Sequence, residues 1–268
     1  MIPISDSPRA RTIPWVNYGI ILVNFLVFFW MLSLSNEAPA SNSEAVRAFS
    51  HQTNGVCYQF ETAPTPLDSF ACKWSFQPKE FFDDFAGRSD VPRPDRPAIF
   101  ISIITALFLH IGWFHILGNM LFLWVFGDNV EDRLGHAGYL VFYLLAGIVA
   151  MLVQGMIDTS SVVPVLGASG AVAGVLGAYL VYHPRATVRG VIPFFPLIFI
   201  PLPVPAFVMI GIWFVQNLLS GIASISDVSA PDTSVAFFAH IGGFIFGVLT
   251  SGLLLRSLGR RPPSRRSG

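Results

Sequence analysis

The chain has 268 residues, equal numbers of acidic and basic side chains, a mean hydropathy of +0.61 and only 12% charged residues. A soluble domain carries about twice that charged fraction, and nothing in the charge balance points to a nucleic-acid partner. Several apolar runs reach the length of about 20 residues that crosses a bilayer, which makes this a polytopic membrane protein.

Residues 1–14 are polar and carry Arg9 and Arg11. The first apolar run, 15–34, is followed by Ala38-Pro39-Ala40, which looks like a signal cleavage site. The run is longer than the about 7–15 residues of a signal core, so it reads as an uncleaved first span. The segment 35–98 is long, polar and acidic, and it holds both cysteines, Cys57 and Cys72. Facing an oxidising compartment the two form a disulfide, otherwise they are free thiols, and the residues leave both readings open. Phe76, Phe81, Phe82 and Phe85 recur near helical spacing, which predicts a short interfacial helix from Gln77 to Phe85. Asp90 to Pro97 is proline-rich and extended.

A second span is expected over 99–126, with His110, His115 and Asn119 along it. His115 and Asn119 stand four residues apart and share a helix face. A short charged loop, 127–138, carries Asp128, Glu131, Asp132 and Arg133, and the third span follows at 139–157. The fourth span, 166–183, opens on Leu166-Gly167-Ala168-Ser169-Gly170, and Gly170, Gly174 and Gly177 recur at helical spacing below the serine. Such a bare stripe admits a second helix at short range. Pro193, Pro196, Pro201, Pro203 and Pro205 forbid a regular helix over 191–205, which reads as an interfacial or re-entrant connection. The fifth span is placed at 206–223, a polar loop with Asp227 and Asp232 at 224–234, the sixth span at 235–255 and a basic tail at 256–268. Six spans put both termini on one side, and the arginines gather there, which assigns that side to the cytoplasm.

With that topology His110, His115, Asn119, Ser169 and His240 share one depth. Polar groups inside a bilayer are costly and face a partner or a wet cavity, so five at one level argue for a common site. Ser169 is a weak nucleophile unless a base takes its proton, and His240 is a suitable base. Gly243 and Gly247 follow His240 on its own helix face. A bare face on span six matches the one on span four and would bring His240 to Ser169. His115 and Asn119, with the Ser169 amide, are candidate oxyanion donors. No Asp or Glu in the spans is available to orient His240, so the expected machine is a Ser–His dyad. Each piece has a plainer reading: the glycines as packing, His240 as an interhelical hydrogen bond, and His110 with His115 as metal ligands. The spans supply neither a thiolate cluster nor HExxH spacing, so no metal and no cofactor are expected.

Taken together, His110…His115…Asn119, Gly167-Ala168-Ser169-Gly170, Ala239-His240 with Gly243 and Gly247, and the Glu131-Asp132-Arg133-Leu134-Gly135 turn resemble the rhomboid intramembrane serine proteases of bacterial six-span type. The resemblance covers 99–255 plus the first span. It implies an all-α, six-helix rhomboid-like bundle in a bacterial inner membrane, cleaving transmembrane segments of other proteins. It also implies that Ser169 is the nucleophile, His240 the general base, His115, Asn119 and the Ser169 amide the oxyanion hole, and His110 a hydrogen-bonding support beside Gly167, Gly170, Gly243 and Gly247. Substrate is expected to enter past span five, where Trp213 and Phe214 are bulky. Two features depart from the family. Ala173 stands where some members stack an aromatic ring on the histidine, and the first loop is long and lacks an evident Trp–Arg pair. The alternative is a non-catalytic relative that binds membrane helices, and a transporter reading lacks repeated halves and broken helices around a midplane site.

Overall fold

The computed structural model describes residues 2–7, 9–35, 65–87, 99–194, 198–226 and 236–259. Helix α1 (Trp15–Ser35) buries Asn17, Ile20, Asn24, Phe28 and Met31, a stripe at three- and four-residue spacing. Its other faces leave Leu22, Leu26 and Phe29 exposed, as lipid contact requires. The start of α1 is held by a carboxylate. Glu131, fully buried, accepts the backbone N–H groups of Val16 at 3.0 Å and Asn17 at 2.7 Å. These are first-turn amides with no partner inside the helix, at the positive end of its dipole.

Two short helices follow, α2 (Pro66–Trp74) and α3 (Pro78–Phe85). Thr65 and Asp68 form a reciprocal capping box at the start of α2. The helix expected from the phenylalanine spacing is α3, but its rings do not all lie outward. Phe76 and Phe81 are buried with Ile103, Leu107 and Met151, while Phe85 stays exposed.

The second expected span is corrected. It is not one helix over 99–126 but α4 (Ile99–Thr105), a 3-10 turn (Ala106–Phe108), a break, and then α5 (Trp113–Phe122). The two halves are bent by 90°. At the break Leu109 and Gly112 are extended. The second half continues through a π-turn (Leu123–Gly127) into α6 (Asp128–Leu134), where the sequence reads as a loop. The acids there stay helical because they have partners, Glu131 on α1 and Asp132 on Thr12. Gly135 then ends α6 with φ 72° and opens α7 (His136–Ile157).

Helix α8 (Ser169–Tyr182) has 14 residues and is buried on every face from Gly170 to Tyr179. It is the central element of the bundle. The proline-rich stretch after it forms strands. β1 (Ile2–Ser7), β2 (Thr187–Phe194) and β3 (Ile198–Pro205) make an antiparallel sheet in the order β1-β2-β3. β3 is an edge strand, and Pro201, Pro203 and Pro205 alternate along it, so their missing N–H groups all fall on one side. Pro193 lies beyond the last residue of β2 that pairs with β1, Val191. The prolines thus exclude helix, as the sequence reads, but are compatible with an edge hairpin. Tyr179 ties the sheet to the bundle by donating to Asp6 at 2.5 Å.

The last two helices are α9 (Ala206–Ser226) and α10 (Phe237–Gly259). The protein is a polytopic helical bundle. Among the described residues four helices, α1, α7, α9 and α10, are long and apolar enough to cross a membrane, and the bent pair, taken as one span, makes five. α8 is shorter, about 21 Å at 1.5 Å per residue. The acidic loop residues 36–64, the 227–235 loop and the basic tail from 260 lie outside the described residues.

Candidate active site

The segment entering α8 is pinned from two sides. Val165 pairs with Phe76 through reciprocal backbone bonds of 3.0 and 2.7 Å, and the Gly167 N–H donates to the Ala106 carbonyl at 2.8 Å. Gly167 has φ 121°, a conformation that L side chains rarely adopt. A Cβ there would lie 2.7 Å from His115 Nε2 and 3.9 Å from Ser169 Oγ. The imidazole of His115 and the hydroxyl of Ser169 therefore flank the same bare face. Ser169 is the first residue of α8, and the N-cap, Ala168, supplies no side-chain cap. The opening amides of α8 are consequently open to a ligand oxygen, with the helix dipole favouring negative charge there.

His110 comes from the break between α4 and α5, and His115 and Asn119 come from α5 itself. The rings of His110 and His115 meet edge to face at 4.9 Å. Asn119 Nδ2 donates to His110 Nε2 at 3.1 Å, which leaves the His110 proton on Nδ1. Asn119 and His110 are buried, whereas His115 and Ser169 are half-buried. The four side chains thus form two layers: His115 and Ser169 at the opening, His110 and Asn119 behind them. One amide N–H of Asn119 is engaged by His110, and the second is left for another acceptor.

His240 lies in the first turn of α10, and α10 docks on α8 through glycine. A Cβ at Gly243 would overlap the carbonyl oxygen of Gly170, and one at Gly247 would overlap that of Gly174. On its other side Gly170 faces Ala150 of α7, whose Cβ would be 2.5 Å from an added Cβ. This backbone-to-backbone packing sets the start of α8, with Ser169, beside the start of α10, with His240. Ser169 and His240 are not hydrogen-bonded to each other among the described residues, as is common for such pairs before a substrate is bound.

Two residues beyond those singled out in the sequence, Gln154 and Asn217, position His240 together with Trp213. Gln154 of α7 accepts the Ala239 backbone N–H at 3.1 Å, so it fixes the first turn of α10. Asn217 of α9 accepts from His240 Nδ1 at 2.6 Å and donates its own amide to the Trp213 carbonyl at 2.8 Å. The Trp213 ring lies 5.8 Å from the imidazole, tilted by 39°. The missing aromatic at Ala173 is therefore supplied from a different helix. The signal was present: Gln154, and Asn217 beside Gln216, are polar side chains in apolar spans, and such groups need a partner. Cys72 of α2 is buried and disulfide-bonded, and Cys57 lies outside the described residues.

The rhomboid domain model matches residues 98–257, more than half of the chain, and the chain belongs to the rhomboid family. It is 33% identical over 153 residues to "Rhomboid protein 1, mitochondrial" of Saccharomyces cerevisiae, covering 56% of this chain and 40% of the relative. It is 32% identical over 151 residues to the human "Presenilin-associated rhomboid-like protein, mitochondrial", covering 54% and 36%. A further match, 42% over 71 residues, is "Rhomboid-like protein 11, chloroplastic" of Arabidopsis thaliana, covering 26% of this chain and 25% of that one. The chain thus matches well under half the length of these curated relatives. They also correct one expectation. A bacterial inner membrane with cytoplasmic termini follows from the arginine distribution and the family type, but the matched relatives are organellar proteins, chiefly mitochondrial. The multi-pass membrane character stands.

Proposed function

We propose that this protein is an intramembrane serine endopeptidase acting on transmembrane segments of other membrane proteins. The observation that carries the reading is the meeting, at one end of the bundle, of an uncapped helix start bearing Ser169 with a histidine held by its own partners. Ser169 Oγ attacks the scissile carbonyl carbon and its proton passes to His240 Nε2. The carbonyl oxygen becomes an oxyanion facing the Ser169 N–H, His115 and the free N–H of Asn119. Collapse breaks the C–N bond, and His240 returns the proton to the leaving amine. Water then hydrolyses the acyl-enzyme by the same steps with His240 as base. The catalytic unit is residues 99–255, joined by the first span at 15–34. Peptide bonds in a substrate helix are shielded by their own hydrogen bonds, so the segment must unwind before attack, and helix-breaking residues near the cut favour it.

The alternative, a family member that binds membrane helices without cutting them, needs the glycine packing but not an aligned base. The grip of Asn217 and Trp213 on His240 favours the enzyme. The test is cleavage of a transmembrane substrate with a helix-breaking segment by purified protein in liposomes. Wild type cleaves, while Ser169→Ala and His240→Ala do not, although both insert and unfold normally. A serine-reactive phosphonate labels wild type at Ser169. Absence of both cleavage and labelling in folded wild type would establish the non-catalytic reading.

A further inference from the structure

Asn217 lies in an apolar helix, and nothing in the packing of α9 calls for an amide there. Its carboxamide has two ends, and both are committed. Nδ2 donates to the Trp213 carbonyl one turn back, at 2.8 Å. A carbonyl can only accept, so this bond fixes which end of the amide is nitrogen. Oδ1 is thereby turned to His240 Nδ1, at 2.6 Å. An amide oxygen can also only accept, so Nδ1 must carry the proton. Neutral imidazole has one proton, and its Nε2 is then a bare lone pair. Trp213, whose carbonyl orients the amide, also lays its ring against the imidazole.

We infer that Asn217 is a positioning residue for His240, making the catalytic unit a Ser169–His240–Asn217 relay rather than a dyad. The inference deepens the protease reading and rests on it. Asn217 holds the tautomer in which Nε2 can accept the Ser169 proton. It also stabilises the imidazolium that forms when that proton arrives, because the Nδ1–H···O bond strengthens as the ring gains charge. The orienting group is an amide for a physical reason. α7, α8, α9 and α10, the helices around His240, contain no Asp or Glu. A carboxylate at this depth would carry the full cost of a buried charge in the resting enzyme, and an amide does not. The groups facing the site are Asn217 and Trp213 from α9, Ser169 from α8 and His115 from α5.

The test compares wild type with Asn217→Leu, which keeps the volume without the oxygen, and Asn217→Asp, which restores an acceptor with charge. Asn217→Leu lowers kcat about tenfold to a hundredfold with KM within about twofold, less than the about 10²–10⁴-fold worth of the base itself. Asn217→Asp recovers much of kcat. Its carboxylate favours the imidazolium, so the acidic limb of the kcat–pH profile moves to higher pH. A merely structural role would lower Tm in both variants, leave the limb in place and give no recovery with Asp. A second measurement is independent of turnover: ¹⁵N spectra of histidine-labelled full-length protein in micelles, with His240→Ala to assign the resonance. His240 is the Nδ1–H tautomer in wild type and shifts toward Nε2–H in Asn217→Leu. An unchanged tautomer together with an unmoved limb would overturn the inference. A wild type that cleaves nothing would instead sink the protease reading, while the tautomer still decides the Asn217 contact.

Discussion

Gly243 packs so closely on Gly170 that any side chain at Gly243 would overlap the Gly170 carbonyl oxygen. The same relation recurs one turn on, between Gly247 and Gly174. Two helices that touch through their backbones have no side chains to yield, so a larger residue must push α10 away from α8. Gly243→Val is expected to cost more than the about 1–3 kcal/mol of ordinary overpacking. It removes cleavage, because His240 moves with α10. Gly252, on the same helix, has nothing within 4 Å of an added Cβ. Gly252→Ala therefore raises Tm slightly, through the about 0.5–1 kcal/mol advantage of Ala over Gly within a helix. Thermal unfolding in detergent, read beside cleavage, distinguishes the two positions. Equal tolerance at both would show that the glycine stripe does not set the α8–α10 distance.

Gly167 is constrained twice, by φ 121° and by His115 Nε2 at 2.7 Å from the point where a Cβ would stand. A residue forced into such a conformation stores about 1–3 kcal/mol of strain. The small cost to the fold hides a larger one at the site, since the added methyl displaces the His115 ring from the face it shares with Ser169. Gly167→Ala is expected to reduce phosphonate labelling of Ser169 by at least about tenfold, with only a modest fall in Tm. Labelling at the wild-type rate would show that His115 has no part in presenting the serine.

Asn119 and His110 act through one hydrogen bond, so their substitutions should not add. Loss of an oxyanion donor costs about 2.7–4 kcal/mol of barrier, which sets the expectation for Asn119→Ala at about a hundredfold or more in kcat. His110→Ala leaves Asn119 in place but frees it to rotate, and a smaller loss is expected. The double variant is expected to match Asn119→Ala alone, since His110 has nothing left to orient. A double-mutant cycle on kcat measures this. Fully additive losses would mean that His110 acts on the site by a route other than Asn119.

The glycine stripes were readable from sequence because they depend on helical spacing alone, whereas the common depth of the histidines rests on the expected order of the spans. His240, Ser169 and their glycines need only a 3.6-residue repeat to fall on facing stripes. The broken second span was not readable, because an apolar stretch such as Ile99 to Phe126 hides where its hydrogen-bond ladder is interrupted. The bend depends on Val165 and Gly167 running against Phe76 and Ala106, which are distant in the chain. The prolines of 191–205 were legible as a veto on helix but not as a strand, since their fit depends on β3 being an edge. Asn217 was visible as an odd polar residue, yet its partner on α10 appears only once the helices are packed.

The Glu131-Asp132-Arg133 turn carries part of the family resemblance, but its geometry is that of an anchor. Glu131 accepts two N–H groups from the start of α1 and also bonds His136 Nδ1. Asp132 accepts the Thr12 N–H at 3.0 Å and its hydroxyl at 2.8 Å. Arg133 stacks over the Tyr182 ring at the end of α8. One helical turn thus grips the N-terminal ends of α1 and α7 and the C-terminal end of α8, at the opposite end of α8 from Ser169. Glu131→Ala removes the acceptor from one buried and one part-buried amide, those of Asn17 and Val16, and a buried unsatisfied group costs about 1–3 kcal/mol. The expected outcome is a large fall in Tm with kcat per folded molecule unchanged, since no group at the Ser169 end is touched. Glu131→Gln retains one oxygen and falls between the two. Titrating active molecules with the phosphonate gives kcat per folded site. A drop there equal to that of His240→Ala would place Glu131 in the chemistry and not in the scaffold.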